Sequence, residues 1–451
     1  MQQSTAIPFH EVCRRESWVL FQKNPASGKV EKIWWREKME LHEENSSVAQ
    51  ARYEAFCAKG WPVQEIPAEL TAYPTGIDLQ VHLRFPGQAS KETLEGGLSS
   101  ALASGYDTIL TMPNTFPYLD APELLAQARK ELEEFREKNF PGVKVLFTAA
   151  GTKGMQGAES ADIPGLVRAG AAAITDDGWG VKSDDAMEKI FEHCAATGVP
   201  FLQHAEMPGH KGVATASNFQ RSEGLPEYPR NAESEMIRRD LRLLRKHKKA
   251  RYHVLHVSTR ESLEEIRKAK EEGLLVTAEA TPHHLFFSNA EIPAQSNPLS
   301  TSFKMNPPLF APEDREALRD ALASGLVDFV STDHAPHETQ AKAQGWLKAP
   351  FGTRGMETAL PVLVTLQEQG VLSYARVVEV FSSTPRKFIR RPECATPAGW
   401  VFVNSKKKWK VSEQDLPGIS KNSCFLGTEL LGQIEFVALG EQIFARNRAL
   451  V

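Results

Sequence analysis

The sequence predicts an α/β protein: a (β/α)8 barrel with a small β-rich domain that the N- and C-terminal segments form together. Three observations support this fold class. Between residues 75 and 333, short apolar runs alternate with longer charged, amphipathic runs. This alternation spans about 260 residues, close to the ~250 residues that such barrels usually occupy. The two ends of the chain lack it and contain short β-prone runs instead.

Eight apolar runs rich in β-branched residues are the candidate barrel strands. In chain order they cover residues 75–83, 106–112, 143–149, 171–176, 200–205, 251–257, 274–281 and 327–333. The patterns between most of them are helical, most clearly 121–138 and 258–273, and the second opens with a Ser/Thr–Glu capping signal. This alternation implies a parallel sheet with right-handed crossovers. A doubly wound open sheet is the alternative, but it needs a glycine-rich phosphate turn after its first strand, which this sequence lacks.

The flanks complete the domain organisation. Residues 1–70 contain the β-prone runs SWVLFQ and VEKIWW, and residues 391–451 contain GWVFVNSKKKWKV and IEFVALGEQIFAR. Residues 44–60 have a helical pattern. We therefore expect residues 71–390 to form the barrel and the two flanks to pair into one small sheet domain beside it.

Composition and charge exclude several classes of protein. Apolar residues make up 41% of the chain and charged residues 24%, which is ordinary for a globular protein. The net charge of −4 argues against a nucleic-acid-binding protein. The basic stretch 238–251 has the leucine spacing of a helix with a solvated basic face. No run approaches the ~20 apolar residues of a membrane span, and no signal-peptide core is present.

Cysteine usage points to a reducing compartment. The chain has 5 cysteines, an odd number, and none of them form a CxxC pair. This argues against a disulfide framework and against a thiolate zinc site. We expect a cytoplasmic protein.

Polar residues cluster where the predicted strands end, which is where β/α barrels carry their chemistry. Nine of the 13 histidines fall in or just after these strand ends. They are His82, His204, His210, His253, His256, His283, His284, His334 and His337. Carboxylates follow two of the same strands, at residues 176–177 and at Asp333. Imidazoles and carboxylates that converge on one barrel mouth predict a site for a divalent transition metal, and zinc suits this ligand set best.

Some of these residues have a structural interpretation. His253 lies three residues before His256, and an odd spacing in a strand places two side chains on opposite faces, so we expect His253 to be a wall residue. The pair 283–284 fits structural donors in a polar loop. Of the neighbours 176–177, only one can face the barrel axis, and the other can cap a turn.

The strand-end motifs resemble the amidohydrolase superfamily and, within it, the bacterial type I dihydroorotases. DLQVHLRFPG (78–87) is similar to the family pattern D-x-H-x-H-L-R-x-P-G. Further motifs with close family counterparts follow in order along the chain. They are MPNT (112–115), TDDG (175–178), HVSTRES (256–262), VTAEATPHHL (276–285), KMNPPL (304–309), TDHAPH (332–337) and KAPFG (348–352). The resemblance covers roughly residues 75–390, with a weaker counterpart at 420–432.

Carried over position by position, the resemblance implies a set of site residues. The implied metal ligands are His82, His204, His256, Asp333 and Asp177, the last as a carboxylate that bridges two zinc ions in type I enzymes. The implied substrate contacts are Arg84, Asn114, Asn306 and His337. Asp333 is also the implied proton acceptor and donor, and residues 338–352 match a mobile loop that closes over the site.

The resemblance also separates this chain from near relatives. Allantoinase-like sequences usually have Asn at the position of Arg84, and dihydropyrimidinases lack Arg there and use a carboxylated lysine where this chain has Asp177. A guanidinium beside the metal suits a substrate with a carboxylate, because its planar fork binds the carboxylate in a bidentate manner. Dihydroorotate carries such a carboxylate.

Two departures from the family pattern stand out. Gln80 replaces the first histidine of His-x-His, on the same strand face as His82. An amide oxygen is a poorer zinc ligand than imidazole, so the buried metal position is weakened, while the other keeps Asp177, His204 and His256. We expect one or two zinc ions per chain. In the small domain, TPAGWVFVN (396–404) replaces the usual glycine-rich stretch, which implies remodelling.

Two functions of different kinds fit these observations. One is a working dihydroorotase, which interconverts N-carbamoyl-L-aspartate and dihydroorotate in pyrimidine biosynthesis. The other is an impaired homologue retained as a scaffold for aspartate transcarbamoylase. We favour the enzyme because most implied ligands and all implied substrate contacts are present. Another cyclic amidohydrolase, of the allantoinase or hydantoinase kind, is a further alternative. We also expect a homo-oligomer.

Overall fold

The computed structural model describes residues 10–14, 18–37, 40–45, 48–61, 63–140 and 142–446. Short strands and one helix precede the barrel. The strands are β1 (His10–Arg14), β2 (Trp18–Lys23), β3 (Val30–Glu37), β4 (Glu40–Asn45), β5 (Val63–Glu65) and β6 (Thr71–Pro74). Helix α1 (Ala49–Ala58) lies between β4 and β5, within the predicted helical pattern at 44–60.

A parallel sheet follows and forms the barrel. Its strands are β7 (Gly76–Val81), β8 (Tyr106–Thr111), β9 (Lys144–Ala149), β10 (Ala173–Thr175), β11 (Pro200–Gln203), β12 (Arg251–Val254), β13 (Val276–Ala280) and β14 (Phe329–Val330). Each strand pairs in parallel with its neighbour in the sequence, from β7 to β14. The barrel closes between its first and last strands, where Val81 and His334 form a parallel β-bridge. The N–H of His82 donates to the carbonyl oxygen of His334 over 2.9 Å. The predicted barrel is confirmed, and each strand lies inside its predicted run.

Helices connect the strands and surround the barrel. They are α2 (Leu94–Ala103), α3 (Pro122–Asn139), α4 (Ile163–Arg168), α5 (Asp184–Thr197), α6 (Asn218–Ser222), α7 (Ala232–Leu244), α8 (Arg260–Glu271), α9 (Pro282–Phe286), α10 (Pro312–Ser324), α11 (Thr339–Lys342), α12 (Met356–Glu368), α13 (Tyr374–Val378) and α14 (Thr384–Ile389). A π-helical turn joins α13 to α14. The cap predicted for α8 is confirmed in part: the hydroxyl of Thr259 accepts from the N–H of Ser262, but Glu261 contacts Arg230 and not the cap. Among the helices of the described residues, none is long and apolar enough to cross a membrane.

The centre of the barrel is apolar and holds the strand ends in place. Leu79, Leu202, Leu255 and Phe329, from four strands or the residues just beyond them, belong to one buried cluster. Alternating side chains of parallel strands fill such barrels in layers, so the polar residues that follow the strands collect at one end.

The C-terminal strands complete the small domain. They are β15 (Gly399–Asn404), β16 (Trp409–Lys410), β17 (Glu429–Leu430), β18 (Gln433–Leu439) and β19 (Gln442–Ala445). Strands from both ends of the chain share one sheet, in the order β1-β19-β18-β15-β6. This confirms a small β-rich domain formed by the two terminal segments.

The small domain contains two principal sheets, whereas one sheet was expected. Strands β4-β3-β2-β5 form a second sheet. Its inner face presents Trp18, Leu20 and Trp34, which pack against Phe402 and Phe436 of the first sheet. The other face packs against α1. The N-terminal strands divide between the two sheets: β1 and β6 form the edges of the first, and β2, β3, β4 and β5 form the second.

Cysteines in the described part of the chain are unpaired. Cys57, Cys194, Cys394 and Cys424 are free thiols, and the last three are buried. Cys13 belongs to β1, and its side chain lies outside the described part.

Candidate metal centre and substrate cavity

Two clusters of candidate metal ligands lie at the barrel mouth and share Asp177. The first joins Asp177, which follows β10, to His204 after β11 and His256 after β12. Nδ1 of His204 lies 3.0 Å from Nε2 of His256 and 3.6 Å from Oδ1 of Asp177, and Nε2 of His256 lies 3.7 Å from that oxygen. Three buried ligand atoms at these separations can coordinate one metal ion and leave a position open.

The second cluster joins Asp177 to His82 after β7 and Asp333 after β14. Nε2 of His82 lies 3.2 Å from Oδ2 of Asp177 and 3.0 Å from Oδ1 of Asp333. The two carboxylate oxygens of Asp177 therefore face different clusters. This arrangement matches the bridging position that the resemblance implied for Asp177.

Backbone conformation helps to aim three of the side chains. His256, Asp333 and Arg84 have positive φ angles of 32°, 48° and 62°. Positive φ is uncommon for residues other than glycine, and it costs free energy that the surrounding structure must offset. In each case the residue comes just after a barrel strand, where this turn of the chain directs the side chain into the mouth.

Gln80 contacts Asp177, the carboxylate that the two clusters share. Its side chain is fully buried, and Nε2 donates to Oδ1 of Asp177 over 3.1 Å. The strand geometry predicted that Gln80 and His82 face the same way, and both contact Asp177. Oε1 of Gln80 has no hydrogen-bond partner among the described residues. A buried amide oxygen without a partner, on a side chain that contacts Asp177, fits a cation as its missing partner, so the donor set is compatible with a divalent metal.

The ionisable groups of the clusters influence one another strongly. Burial alone would raise the pKa of Asp177, but hydrogen bonds with His204, His256 and His82 hold it well below its usual range. Burial alone would lower the pKa of His82 and His204, but hydrogen bonds to Asp177 and to a further carboxylate raise these pKa values to about 9 and about 10. The pocket thus stabilises positive charge next to Asp177, as a metal site does.

The contact with Asn114 determines which ring nitrogen of His82 carries the proton. Nδ1 of His82 lies 3.0 Å from Oδ1 of Asn114, and an amide oxygen can only accept, so Nδ1 carries the proton. Nε2 is then the nitrogen that faces Asp177 and Asp333. Nδ2 of Asn114 donates to the carbonyl oxygen of Asp177 over 3.3 Å. Asn114 therefore supports the cluster as well as lining the cavity in front of it.

Arg84 supplies a positive charge at the mouth, and His337 beside it is kept neutral, because burial and the nearby Arg84 lower the pKa of its imidazole. Nε of Arg84 donates to the carbonyl oxygen of Pro336 over 3.0 Å, and Nη2 lies 3.1 Å from Nε2 of His337. Burial lowers the pKa of Arg84 to about 10, although Asp333 and Asp177 act in the opposite direction. Neither contact uses Nη1. A buried guanidinium with a free donor can bind an anionic group.

Nine of the ten predicted site residues line one cavity of about 320 Å³. They are His82, Arg84, Asn114, Asp177, His204, His256, Asn306, Asp333 and His337. Gln80, the tenth, contacts Asp177.

The cavity also has walls that the sequence did not predict. Lys91, Tyr118, Trp179 and Phe351 contribute to them, and Tyr118 and Trp179 pack edge to face. An exposed aromatic such as Trp179 carries no periodic signal in the sequence that marks it as a cavity wall.

Residues 338–352, matched by resemblance to a mobile loop, pack against the cavity. The ammonium group of Lys342 is buried and donates to the carbonyl oxygens of Lys304, Pro350 and Gly352. These three bonds, 2.9–3.2 Å long, hold Gly352 against the mouth. The loop is thereby connected to the segment that contains Asn306.

Other histidines have structural surroundings. His253 stays away from the clusters, as expected, but the reason differs from the one predicted. Strand β12 ends at Val254, so the pleat does not extend to His256, and His253 itself stacks on the interior ring of Phe329. His284 lies on helix α9 rather than in a loop, with Nδ1 near Thr281 and Nε2 near Pro307.

The neighbouring carboxylates at 176–177 divide their roles as predicted. Asp176 turns away from the clusters and accepts from the N–H groups of Gly151 and Thr152 over 2.9 and 3.0 Å. It therefore fixes the turn after β9, and Asp177 alone faces the mouth.

A β/α barrel with two ligand clusters joined by a carboxylate at its strand ends defines the class of barrel hydrolases that hold divalent metals. Residues 71–393 match the Amidohydrolase family, and the chain belongs to this family. Curated relatives named dihydroorotase extend over most of the chain. The protein of Geobacillus thermodenitrificans is 36% identical over 90% of this chain and 94% of its own length, and that of Elusimicrobium minutum is 36% identical over 84% and 88%. The chain is a cyclic amide hydrolase of the amidohydrolase family.

Solved structures share the fold. An L-hydantoinase (dihydropyrimidinase) from Arthrobacter aurescens superposes with a TM-score of 0.75 at 22% identity, covering 94% of this chain and 95% of that one. A dihydroorotase from Saccharomyces cerevisiae, solved with 5-fluoroorotic acid, superposes with a TM-score of 0.64 at 18% identity, covering 81% and 98%. At these identities the structures establish the architecture alone.

Proposed function

We propose that this chain is a zinc-dependent dihydroorotase that reversibly cyclises N-carbamoyl-L-aspartate to dihydroorotate in pyrimidine biosynthesis. The observation that carries the proposal is the buried guanidinium of Arg84, which lies in the cavity beside both ligand clusters. A cyclic amide without a charge offers this group only neutral carbonyl oxygens, whereas dihydroorotate offers a carboxylate that can pair with its charge. The curated relatives named dihydroorotase support the same assignment.

The substrate contacts divide by chemistry. Arg84 binds the substrate carboxylate, and His337, 3.1 Å from Nη2 of Arg84, keeps the guanidinium in place and adds a polar contact. Asn306 and Asn114 line the cavity and offer amide groups to the ring. Together these groups orient the ring so that its scissile amide faces the clusters. Correct orientation of the substrate supplies much of the rate acceleration in such sites.

Zinc is the metal that the donor set suits best. Asp177, His204 and His256 would hold one ion, and His82, Asp333 and Asp177, with Gln80 as a poor ligand, would hold a second ion weakly. When bound, zinc lowers the pKa of a water molecule and polarises a carbonyl.

Asp333 moves the proton. Its carboxylate lines the cavity, and Oδ1 lies 3.0 Å from Nε2 of His82, so the group has a fixed orientation. In ring opening it accepts the proton of the attacking water and delivers it to the ring nitrogen that leaves. In ring closure it takes the proton from the attacking carbamoyl nitrogen and passes it to the carboxylate oxygen that departs, and one further proton from solvent completes the water molecule that leaves.

A second function is favoured by one observation, the loss of the histidine at position 80. An impaired homologue could serve as a scaffold for aspartate transcarbamoylase, with the small domain remodelled for that contact.

The two proposals differ in whether the purified chain turns over dihydroorotate. The purified chain is incubated with dihydroorotate, with and without chelator, and zinc per chain is measured in parallel. Turnover that chelator removes and zinc restores supports the enzyme. Bound zinc without turnover, or neither, supports the scaffold.

A further inference from the structure

The carboxylate of Glu206 contacts two residues of the candidate site at once. Oε2 lies 3.1 Å from Nε2 of His204 and 2.7 Å from Nδ2 of Asn306. Glu206 follows β11 two residues after His204, so the same strand end supplies both groups. His204 is a candidate metal ligand and Asn306 a candidate substrate contact, whereas no role for Glu206 was predicted from the sequence.

The contact with His204 fixes which imidazole nitrogen faces the metal position. Nδ1 of His204 faces His256 and Asp177, whereas Nε2 faces Glu206. A neutral imidazole carries one proton, and the nitrogen that binds a metal must be without it. Nδ2 of Asn306 also lies 3.2 Å from Nε2, but it donates to Glu206 over the shorter distance of 2.7 Å. A carboxylate can only accept a hydrogen bond, so Glu206 keeps the proton on Nε2 and leaves the lone pair of Nδ1 free. Such outer carboxylates orient metal-binding histidines and increase their basicity.

The contact with Asn306 fixes the orientation of its amide. The NH2 group must face Glu206, because an amide oxygen would repel the carboxylate. Oδ1 of Asn306 then points away from Glu206, and it is buried without a hydrogen-bond partner among the described residues. Asn306 lines the cavity, so this oxygen is available to accept from an N–H group of a bound ring.

The second oxygen of the carboxylate is anchored as well. Oε1 of Glu206 lies 2.9 Å from Nε2 of His210, and the ring of His210 packs edge to face on Tyr228. The carboxylate plane is therefore held from both sides. A group that is fixed in this way can fix its own partners, which a freely rotating surface carboxylate cannot.

We propose that Glu206 is a positioning residue that couples the zinc position to substrate recognition. It holds His204 with Nδ1 toward the metal and Asn306 with Oδ1 toward an N–H of the substrate ring. The proposal rests on the proposed function for the identity of the substrate, but its effect on zinc does not depend on which cyclic amide is hydrolysed.

The test measures zinc affinity and substrate binding separately in full-length variants. Glu206→Ala should weaken the tighter zinc site by about 10- to 100-fold in a chelator competition, which is the usual cost of losing an outer partner of a metal-binding histidine. With zinc at saturation, the same variant should raise KM for dihydroorotate about 2- to 10-fold, because Asn306 loses its orienting partner.

Glu206→Gln keeps one acceptor oxygen. Its zinc affinity and its KM should therefore both lie between those of Glu206→Ala and those of the unmodified chain.

Two further variants separate positioning from general damage. Asn306→Ala should raise KM while the zinc affinity changes less than about 3-fold. Glu223→Ala removes a carboxylate that contacts Gln295 instead, and neither quantity should change. Zinc affinity of Glu206→Ala and Glu206→Gln within about 3-fold of the unmodified chain would overturn the proposal. If Glu206→Ala does not fold, Glu206→Gln alone decides. If no variant or unmodified chain turns over dihydroorotate, the proposed function fails, while the zinc titration still decides on Glu206.

Discussion

Nε2 of Gln80 donates a hydrogen bond to Oδ1 of Asp177 over 3.1 Å, inside a cluster of groups suited to a divalent metal. The contact occupies the place where the resemblance implies a histidine ligand. The oxygen that receives this bond is the one that also faces His204 and His256. The amide of Gln80 therefore contacts the oxygen of Asp177 that belongs to the first cluster, while Oδ2 of Asp177 faces His82 in the second.

Gln80→His should restore the missing imidazole and strengthen the second metal position. Strand β7 already directs residue 80 toward Asp177, so the substitution requires no change of the backbone. We expect zinc per chain to rise from about one toward two, because imidazole is a better zinc ligand than an amide. Elemental analysis after purification without chelators measures this, and an unchanged zinc content would show that Gln80 does not limit the second position.

Asp333→Asn should abolish turnover while most of the zinc and the fold remain. The amide keeps the shape of the side chain and its place beside His82 but cannot accept a proton. Loss of a positioned acid and base typically costs roughly 10²–10⁴-fold in rate. Steady-state kinetics with dihydroorotate measures the loss, and zinc content and thermal unfolding serve as controls. Activity close to that of the unmodified enzyme would exclude Asp333 as the proton carrier.

Arg84→Lys should weaken dihydroorotate binding without a change in zinc content. Lysine keeps the positive charge but loses the planar fork and the bond from Nε to the carbonyl of Pro336. Loss of one hydrogen bond to a charged group costs about 1.5–3 kcal/mol, so KM should rise roughly 10- to 100-fold. An unaffected KM would mean that the substrate carboxylate is bound elsewhere.

Lys342→Met should loosen the segment 338–352 from the mouth. Methionine fills the buried space but makes none of the three bonds to carbonyl oxygens. Hydrogen exchange of the amides in residues 343–352 should become at least ~10-fold faster, and KM should rise because Gly352 lines the cavity. The exposed residue of the same segment, Lys348, provides the control, and Lys348→Met should change neither quantity. Equal exchange in the two variants would contradict the role of Lys342.

The sequence predicted the barrel because strand and helix patterns are local. All eight strands fall within their predicted runs, and nine of the ten site residues that the strand ends and the family resemblance named line one cavity. The division of the small domain into two sheets was not predicted, because which edge a short strand joins depends on packing between distant segments. Trp34 contacts Phe402, 368 positions further along the chain, and a contact between such distant residues cannot be predicted from a local sequence pattern.

The site was predicted less completely than the fold. His256 lies beyond the end of β12 and has a positive φ, so the pleat count that placed it opposite His253 does not apply to it. Glu206 was visible as a carboxylate near His204, but its partnership with Asn306 joins two segments 100 residues apart. Only the fold brings such residues together.

The most direct test of the account compares dihydroorotate with dihydrouracil, the same ring without the carboxylate, as substrates of the zinc-loaded chain. The buried guanidinium of Arg84 is left unpaired by dihydrouracil, and unpaired buried charge is costly. The account predicts that kcat/KM for dihydroorotate exceeds that for dihydrouracil by at least about 100-fold, the worth of a bidentate pair between guanidinium and carboxylate. Equal values, or a preference for dihydrouracil, would contradict it.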